Sequence, residues 1–183
     1  MACMSFFDDV PAPEPEPRIH HPWDPPEAEL PGIVQTSTVL LARTERAAVA
    51  VTGISAYSAG FELLLTARFR PERDGAGPPD PRVIRRSLRF GLQLSDGRKV
   101  IGQHGGPDGD PAPDGPVLRQ FMGGGTPRSH VSRWWYWPLP PAGPLEFVFE
   151  WSALGIPESR SAIDGQLILD AAARSIRLWP AES

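Results

Sequence analysis

Strict alternation of apolar and polar side chains is the feature that most constrains how this chain can fold. In AGFELLLTARF every second residue from Phe61 to Phe69 is apolar, and LEFVFEW repeats the pattern from Leu145 to Trp151. A period of two is typical of a strand that buries one face and exposes the other to solvent. Segments of this kind predict a fold made of packed sheets with little helix.

Shorter strand patterns fill most of the chain after residue 32. They are QTSTVLLA, RAAVAVTGI, SLRFGLQL, KVIG, VLRQFM and the aromatic run RWWYW. The pair Asp96-Gly97 tolerates positive φ, so it predicts a hairpin between RFGLQL and KVIG. The triple glycine at residues 123–125 is expected to break the chain before the aromatic run.

The C-terminal part of the sequence predicts a short helix and one more strand. Asp164 is expected to cap a helix through LILDAAARS, and IRLW is expected to close the domain as a last strand. The order of elements predicts a mainly β fold, an antiparallel β-sandwich of the Ig-like or jelly-roll-like kind with one short C-terminal helix. A β-barrel is the alternative.

The first 32 residues have the composition of a disordered tail. They hold eight prolines and seven acidic residues against a single base, and few aliphatic side chains. Such a segment buries too little apolar surface to offset the entropy of ordering. We therefore expect residues 1–32 to be an acidic, Pro-rich, disordered tail and residues 33–183 to form the β-sandwich domain. Within the tail, PAPEPEP favours the extended polyproline conformation that aromatic grooves bind.

Charge and sequence signals argue against several classes of partner. After residue 32, 15 acidic residues accompany 17 basic ones, so the domain lacks the basic excess that is typical of nucleic-acid binding. The sequence contains no run of about 18 apolar residues and no basic, apolar leader, so we expect a cytoplasmic protein without a membrane partner. The single cysteine, Cys3, cannot form an internal disulfide.

We find no motif in the sequence for catalysis, a metal or a cofactor. Glu146 and Glu150 would lie about 13 Å apart on a strand, beyond the roughly 5 to 10 Å that glycoside hydrolysis requires. The triple glycine is not followed by the Gly-Lys-Ser/Thr of a phosphate loop. Zinc-ligand spacing is missing from the four histidines, His20, His21, His104 and His130. We therefore expect a non-catalytic protein with no metal and no cofactor.

One basic cluster is visible in the sequence. It comprises Arg82, Arg85, Arg86 and Arg89, with Arg98 and Lys99 across the predicted turn. Such a cluster is usually the solvated face of a strand. Its functional interpretation is an anion site, for which the nearest anion is the acidic tail. Arg85, Arg86 and Arg89 are therefore candidate binding residues.

The run RWWYWPLPP, residues 133–141, is the main candidate for a binding surface. On a strand, Trp134 and Tyr136 face one way while Trp135 and Trp137 face the other. A sandwich buries only one of these faces, so one pair needs another cover. That cover is a loop of the chain, the Pro-rich tail, a partner protein or a stacked sugar ring.

Two functions follow from this surface. The first is a protein-interaction or accessory module that uses the aromatic strand surface and is masked by its own N-terminal tail. The alternative is a lectin-like sandwich that binds carbohydrate or a small ligand. The aromatic run and a polyproline segment in one chain favour the first, with another protein as the partner and the oligomeric state left open.

Four segments together resemble a known set of sequences. GFELLLTARF, FGLQLSDGR, WWYWPLPPAGPLEFVFEW and AAARSIRLWP look like uncharacterised cytoplasmic proteins of high-GC actinobacteria. The resemblance covers most of residues 33–180. Arginine outnumbers lysine 17 to 1, which fits such a genome. The resemblance implies no activity, substrate or site residue.

Overall fold

Strands make up most of the chain that the structure describes. The structure is a computed structural model, and it describes residues 21–70, 87–104 and 113–179. The α-helix that lies wholly within these residues is α1, Gln166–Ala172, and a 3-10 turn spans Ser152–Leu154. The strands are β1 (Glu29–Leu30), β2 (Gly32–Ile33), β3 (Val39–Arg43), β4 (Ala47–Ala56), β5 (Phe61–Phe69), β6 (Leu88–Gln93), β7 (Lys99–Ile101), β8 (Gln103–His104), β9 (Val117–Thr126), β10 (Ser129–Trp137), β11 (Pro144–Trp151), β12 (Ile156–Asp164) and β13 (Ile176–Arg177).

Two sheets form a sandwich. The larger has the strand order β2-β4-β5-β10-β9-β8, with β3 also paired to β4, and the smaller has the order β12-β11-β6-β7. Within both sheets every pair is antiparallel except β8 with β9. Strands β1 and β13 form a separate ribbon. The predicted mainly β, antiparallel sandwich is confirmed, and in the described residues the two sheets do not close into the alternative barrel.

The core lies between the two sheets and follows the alternation in the sequence. Phe61 and Leu63 of β5 are fully buried, and so are Phe147 and Trp151 of β11. Burying apolar surface contributes about 25 cal/mol per Å², so these large side chains supply much of the driving force for folding. The hairpin predicted at Asp96-Gly97 is also present, with β6 and β7 paired and Gly97 at a φ of 86°.

The triple glycine does not break the chain as predicted. Strand β9 continues through residues 123–125, and its turn to β10 follows Thr126. A Cβ on Gly125 would lie 2.2 Å from the carbonyl oxygen of Ser129. Gly125 therefore permits the close approach of β10 to β9, and the prediction of a bend was wrong.

Two elements near the C-terminus differ from the sequence-based expectation. Strand β12 was not predicted from the sequence. Ile156 is its one fully buried residue, so the strand does not need the apolar alternation that marks a core strand. The segment IRLW forms only the two residues of β13, which pair with β1 and do not close either sheet. The predicted helix is confirmed, but its N-cap residue is Gly165 and not Asp164 as predicted. The Asp164 carboxylate accepts a hydrogen bond from the backbone N–H of Gln166 at 2.9 Å.

Residues 21–32, which composition assigned to the tail, lie against the domain. Leu30 pairs with Ile176, and Gly32 pairs with Ala56 of β4. The structured part of the chain therefore begins before residue 33. Residues 1–20 of the predicted tail lie outside the described residues, as do residues 71–86 and residues 105–112.

Candidate binding face around Trp135

The aromatic run divides between the core and the outer face of the larger sheet. Trp134 and Tyr136 point into the core and are fully buried. The Trp134 indole donates a hydrogen bond to the Ser132 hydroxyl at 2.9 Å. These two rings fill the sandwich, so they are not available as the surface contacts that the sequence suggested.

Trp135 lies on the opposite face of β10, and the chain itself covers it. Its exposed fraction is 2%, although it does not belong to the core cluster between the sheets. Trp137, on the same side, is half-buried. The sequence predicts that the aromatic pair outside the core is covered by something other than the second sheet. In the structure this holds for Trp135, the buried member of that pair.

The cover comes from residues 21–30, which we call the cover segment. The backbone carbonyl of Trp23 accepts a hydrogen bond from the Trp135 indole N–H at 2.8 Å. The Trp23 ring stacks on the His21 ring, with centroids 4.6 Å apart and planes 3° apart. The Asp24 carboxylate lies 4.0 Å from the Arg119 guanidinium. A backbone acceptor and an acidic group thus meet the domain within two residues, next to a ring stack inside the segment.

A local turn shapes the first part of the cover segment. The Asp24 carboxylate accepts a hydrogen bond from the backbone N–H of His21 at 2.9 Å, and the Asp24 N–H donates to the His21 carbonyl at 3.0 Å. Asp is favoured in such turns because its short side chain reaches backbone donors nearby. The turn holds the Trp23 carbonyl toward Trp135.

Glu29 fastens the second part of the cover segment to the β4–β5 turn. Its carboxylate accepts hydrogen bonds from the Ser58 backbone N–H at 3.0 Å and from the Ser58 hydroxyl at 2.6 Å. Immediately afterwards Gly32 packs against α1, where a Cβ would lie 1.9 Å from the carbonyl oxygen of Ala171. The cover segment is therefore held at both of its ends.

The floor beneath Trp135 depends on a glycine. Gly60 ends the turn that begins at Tyr57, and the Tyr57 N–H donates to the Gly60 carbonyl at 2.8 Å. A Cβ on Gly60 would lie 2.2 Å from the carbonyl oxygen of Tyr136 and 2.8 Å from the Trp135 ring. The Tyr57 ring packs edge-on against Trp135 at 5.6 Å. A residue with a side chain at position 60 would displace Trp135.

Polar groups surround Trp135 on the same side of the sheet. Trp135 lies opposite Glu62 on β5 and opposite Arg119 on β9. Burial raises the pKa of Tyr57 to about 12, and the nearby Glu62 carboxylate adds to this rise. Burial also raises the pKa of Glu62, which the Arg133 guanidinium opposes. We call Tyr57, Glu62, Arg119, Arg133 and Trp135 together the Trp135 face.

The basic cluster does not form one site in the described residues. Arg85 and Arg86 lie outside them. Arg89 is on the smaller sheet and forms an ion pair with Glu150 at 3.4 Å. Arg98 pairs with Asp96 at 2.7 Å in the hairpin turn. The predicted link between this cluster and the tail stays a prediction, and within the described residues Asp24 of the tail contacts Arg119.

The described histidines, His21, His104 and His130, do not come together with other metal ligands. His104 meets Gln120 through its Nδ1 and packs near the Trp134 ring at 5.3 Å. His130 is half-buried, and burial lowers its pKa. Among the described residues no group of three or more His, Cys, Asp or Glu side chains is placed to hold a metal ion.

The sequence reasoning missed Trp23 of the cover segment and, of the Trp135 face, Tyr57, Glu62, Arg119 and Arg133. A count of prolines and acids over 32 residues treated HPWDPPE as part of a uniform tail. The one tryptophan in residues 1–32, Trp23, could have distinguished this stretch from the rest of the tail, since an aromatic ring buries a large area on docking.

The chain has no significant match among protein-family models, curated proteins or solved structures. The resemblance to actinobacterial sequences therefore stays a prediction. Within the described residues, none of the helices has the length and apolar character needed to cross a membrane.

Proposed function

We propose that this protein is a non-catalytic protein-interaction module whose binding face is the Trp135 face and whose cover segment masks that face. The observation that carries the proposal is the hydrogen bond from the Trp135 indole to the Trp23 carbonyl. An indole donor that meets the backbone carbonyl of a proline-flanked segment is a general way in which aromatic surfaces hold peptides. The cover segment then acts as a ligand supplied by the chain itself.

The chemistry of the cover segment indicates the kind of partner. Pro22, Pro25 and Pro26 flank the contact residues and reduce the entropy that an extended segment loses when it docks. Asp24 approaches Arg119, and the exposed Arg133 lies beside it on the face. A partner segment that is rich in proline and acidic, and that presents a backbone carbonyl to Trp135, would match the same groups.

Intramolecular docking makes the partner compete with the cover segment. A tethered segment acts at an effective concentration that reaches the millimolar range for short linkers. A partner in solution therefore binds only when its affinity exceeds that of the cover segment or when the cover segment is displaced. The module is regulated by how firmly residues 21–30 are held.

A fluorescent peptide with the sequence HPWDPPEAEL, residues 21–30, provides a defined probe for the face. Fluorescence anisotropy would compare the full-length wild type with the double variant Trp23→Ala/Asp24→Ala. The double variant loses the His21 stack, the local turn and the Arg119 contact, so it should bind the peptide at least about tenfold more tightly. Glu27→Ala is the matched control because Glu27 is an exposed residue of the same segment.

Adding Trp135→Phe to the double variant should weaken peptide binding, because phenylalanine has no indole donor. The proposal fails if the folded double variant does not bind the peptide, or if Trp135→Phe leaves its binding unchanged.

A further inference from the structure

A groove crosses the outer face of the smaller sheet, on the side of the sandwich away from the Trp135 face. Its volume is about 580 Å³, which lies within the range of roughly 300 to 1,000 Å³ for small-molecule sites. It runs over β6 and β11, between β7 on one side and β12 on the other. The groove and the Trp135 face share no residue, so an inference about one does not depend on the other.

The floor of the groove is apolar, and a glycine at its centre leaves the space above the sheet unfilled. Gly91 of β6 lies opposite Val148 of β11 and opposite Ile101 of β7. A Cβ on Gly91 would lie 2.9 Å from the carbonyl oxygen of Val100, so the main chain of the paired strand β7 lies close to this part of the floor. Any larger residue at position 91 would fill the space.

The opposite wall carries an arginine that is held in place. The Arg160 guanidinium donates to the Gln93 side-chain oxygen at 2.9 Å, to Glu146 at 3.1 Å and to Glu158 at 3.1 Å. These partners come from β6, β11 and the β12 strand to which Arg160 belongs. A guanidinium fixed on three strands is already ordered, so a ligand that contacts it causes little further loss of side-chain entropy.

A second ion pair stands at the other end of the floor. Arg89 and Glu150 are paired at 3.4 Å and line the groove beyond Val148. Glu150 and Glu146 are four residues apart on one strand, which corresponds to about 13 Å. Each end of the apolar floor thus carries an arginine paired with a glutamate, and each pair can both donate and accept hydrogen bonds.

The charges of the groove cancel once the neighbouring Glu146 is counted with the lining residues. Its basic and acidic residues are Arg89, Lys99, Arg160, Glu150 and Glu158, and Glu146 joins them through its bond to Arg160. A strongly charged ligand finds no net opposite charge there. Hydroxyl groups both donate and accept hydrogen bonds, so they match carboxylate, guanidinium and amide groups side by side.

We propose that this groove binds a neutral, polyhydroxylated ligand, namely a short stretch of a glycan chain. Its C–H surfaces lie on Gly91, Val148 and Ile101, and its hydroxyls reach the Arg160 and Arg89 pairs. The position on the face of a sheet distinguishes this site from peptide binding by strand addition, which uses a free sheet edge.

The test is binding of the full-length protein to an immobilised panel of neutral oligosaccharides built from glucose, mannose or N-acetylglucosamine. The panel also carries sulfated oligosaccharides and the HPWDPPEAEL peptide. Calorimetry then measures the affinity for the best-bound oligosaccharide. The expected result is binding to at least one neutral oligosaccharide and not preferentially to the sulfated ones.

Two variants locate the site. Arg160→Ala removes the fixed guanidinium and Val148→Trp fills the floor, so each should weaken binding at least about tenfold. Arg98→Ala is the matched control, because Arg98 forms a similar surface ion pair outside the groove lining and should leave the affinity unchanged. Circular dichroism confirms that each variant is folded.

Binding only to sulfated oligosaccharides, binding to no neutral member of the panel, or equal affinity in Arg160→Ala, Val148→Trp and the wild type would each overturn the proposal. Binding confined to the peptide would also overturn it.

Discussion

The indole nitrogen of Trp135 and the carbonyl oxygen of Trp23 lie 2.8 Å apart, and this contact joins residues 112 positions apart in the chain. It explains how an aromatic ring on the outer face of a sheet reaches an exposed fraction of 2%. The core holds Trp134 and Tyr136, while the cover segment and the Tyr57–Gly60 turn cover Trp135. One aromatic run therefore serves two separate packing surfaces.

Trp135→Phe should destabilise the protein by about 1 to 3 kcal/mol. The change removes one net hydrogen bond, typically about 1 kcal/mol, and leaves space beside Tyr57 where the larger indole packed. Urea unfolding measures the difference. Trp179→Phe is the matched control, because Trp179 is 61% exposed and its loss should matter by less than about 0.5 kcal/mol. Equal effects of the two substitutions would contradict the buried position of Trp135.

Gly60→Ala should destabilise the protein by more than about 1 kcal/mol. Its Cβ would meet the carbonyl oxygen of Tyr136 at 2.2 Å, and crowding of a packed region typically costs about 1 to 3 kcal/mol. Gly124→Ala is the control, because a Cβ there meets no atom within 4 Å among the described residues. Thermal unfolding should show a lower Tm for Gly60→Ala only. A similar Tm for both variants would show that the turn is not packed as described.

Tyr136→Phe should leave the free energy of unfolding unchanged or raise it by up to about 1 kcal/mol. The Tyr136 hydroxyl is buried and has no hydrogen-bond partner among the described residues. Replacing it with hydrogen removes a desolvated polar group while the ring keeps its packing against Phe61. Urea unfolding provides the measurement. A loss of more than about 2 kcal/mol would mean that the hydroxyl makes a stabilising hydrogen bond.

Stability should fall as the pH rises from about 10 to 12. The sequence contains two tyrosines, and burial raises the pKa of both Tyr57 and Tyr136 to about 12. In the unfolded chain a tyrosine titrates near pH 10, so between these values the folded state retains protons that the unfolded state has lost. The free energy of unfolding therefore decreases over this interval.

Ultraviolet absorbance of tyrosinate checks this pH dependence directly. The native protein should show little tyrosinate until the pH passes about 11, whereas the same titration in denaturant should be centred near pH 10. Native titration near pH 10 for both tyrosines would contradict their burial.

The sheets could be predicted from the sequence because burial of one strand face imposes a period of two on side-chain chemistry. Residues 61–69 and 145–151 show that period, and both are core strands. Strand β12 escaped prediction because pairing with β11 fixes its main chain while most of its side chains stay exposed. The triple glycine was misjudged because the same residue that permits a bend also permits close packing of two strands.

The sequence predicted the position of Trp135 in the candidate site but not the segment that covers it. Alternation placed Trp135 on the outer face, but which element covers it is set by a contact between distant residues that no local pattern encodes. Average composition also hid Trp23 and Asp24 inside a segment rich in proline. The groove depends on which residues the register places side by side, such as Gly91 and Val148, and that register emerges only from the folded sheet.

Hydrogen exchange of the Trp135 indole N–H, followed by nuclear magnetic resonance, tests the central claim most directly. The Trp135→Phe spectrum assigns the signal, and the Trp134 indole, bonded to Ser132 in the core, is an internal reference that should stay protected in every variant. The account predicts slow exchange for Trp135 in the wild type and at least about tenfold faster exchange in Trp23→Ala/Asp24→Ala, with protection restored by added HPWDPPEAEL peptide. Equal exchange rates for Trp135 in the wild type and the double variant would contradict it, because the cover segment would then not be what protects the Trp135 face.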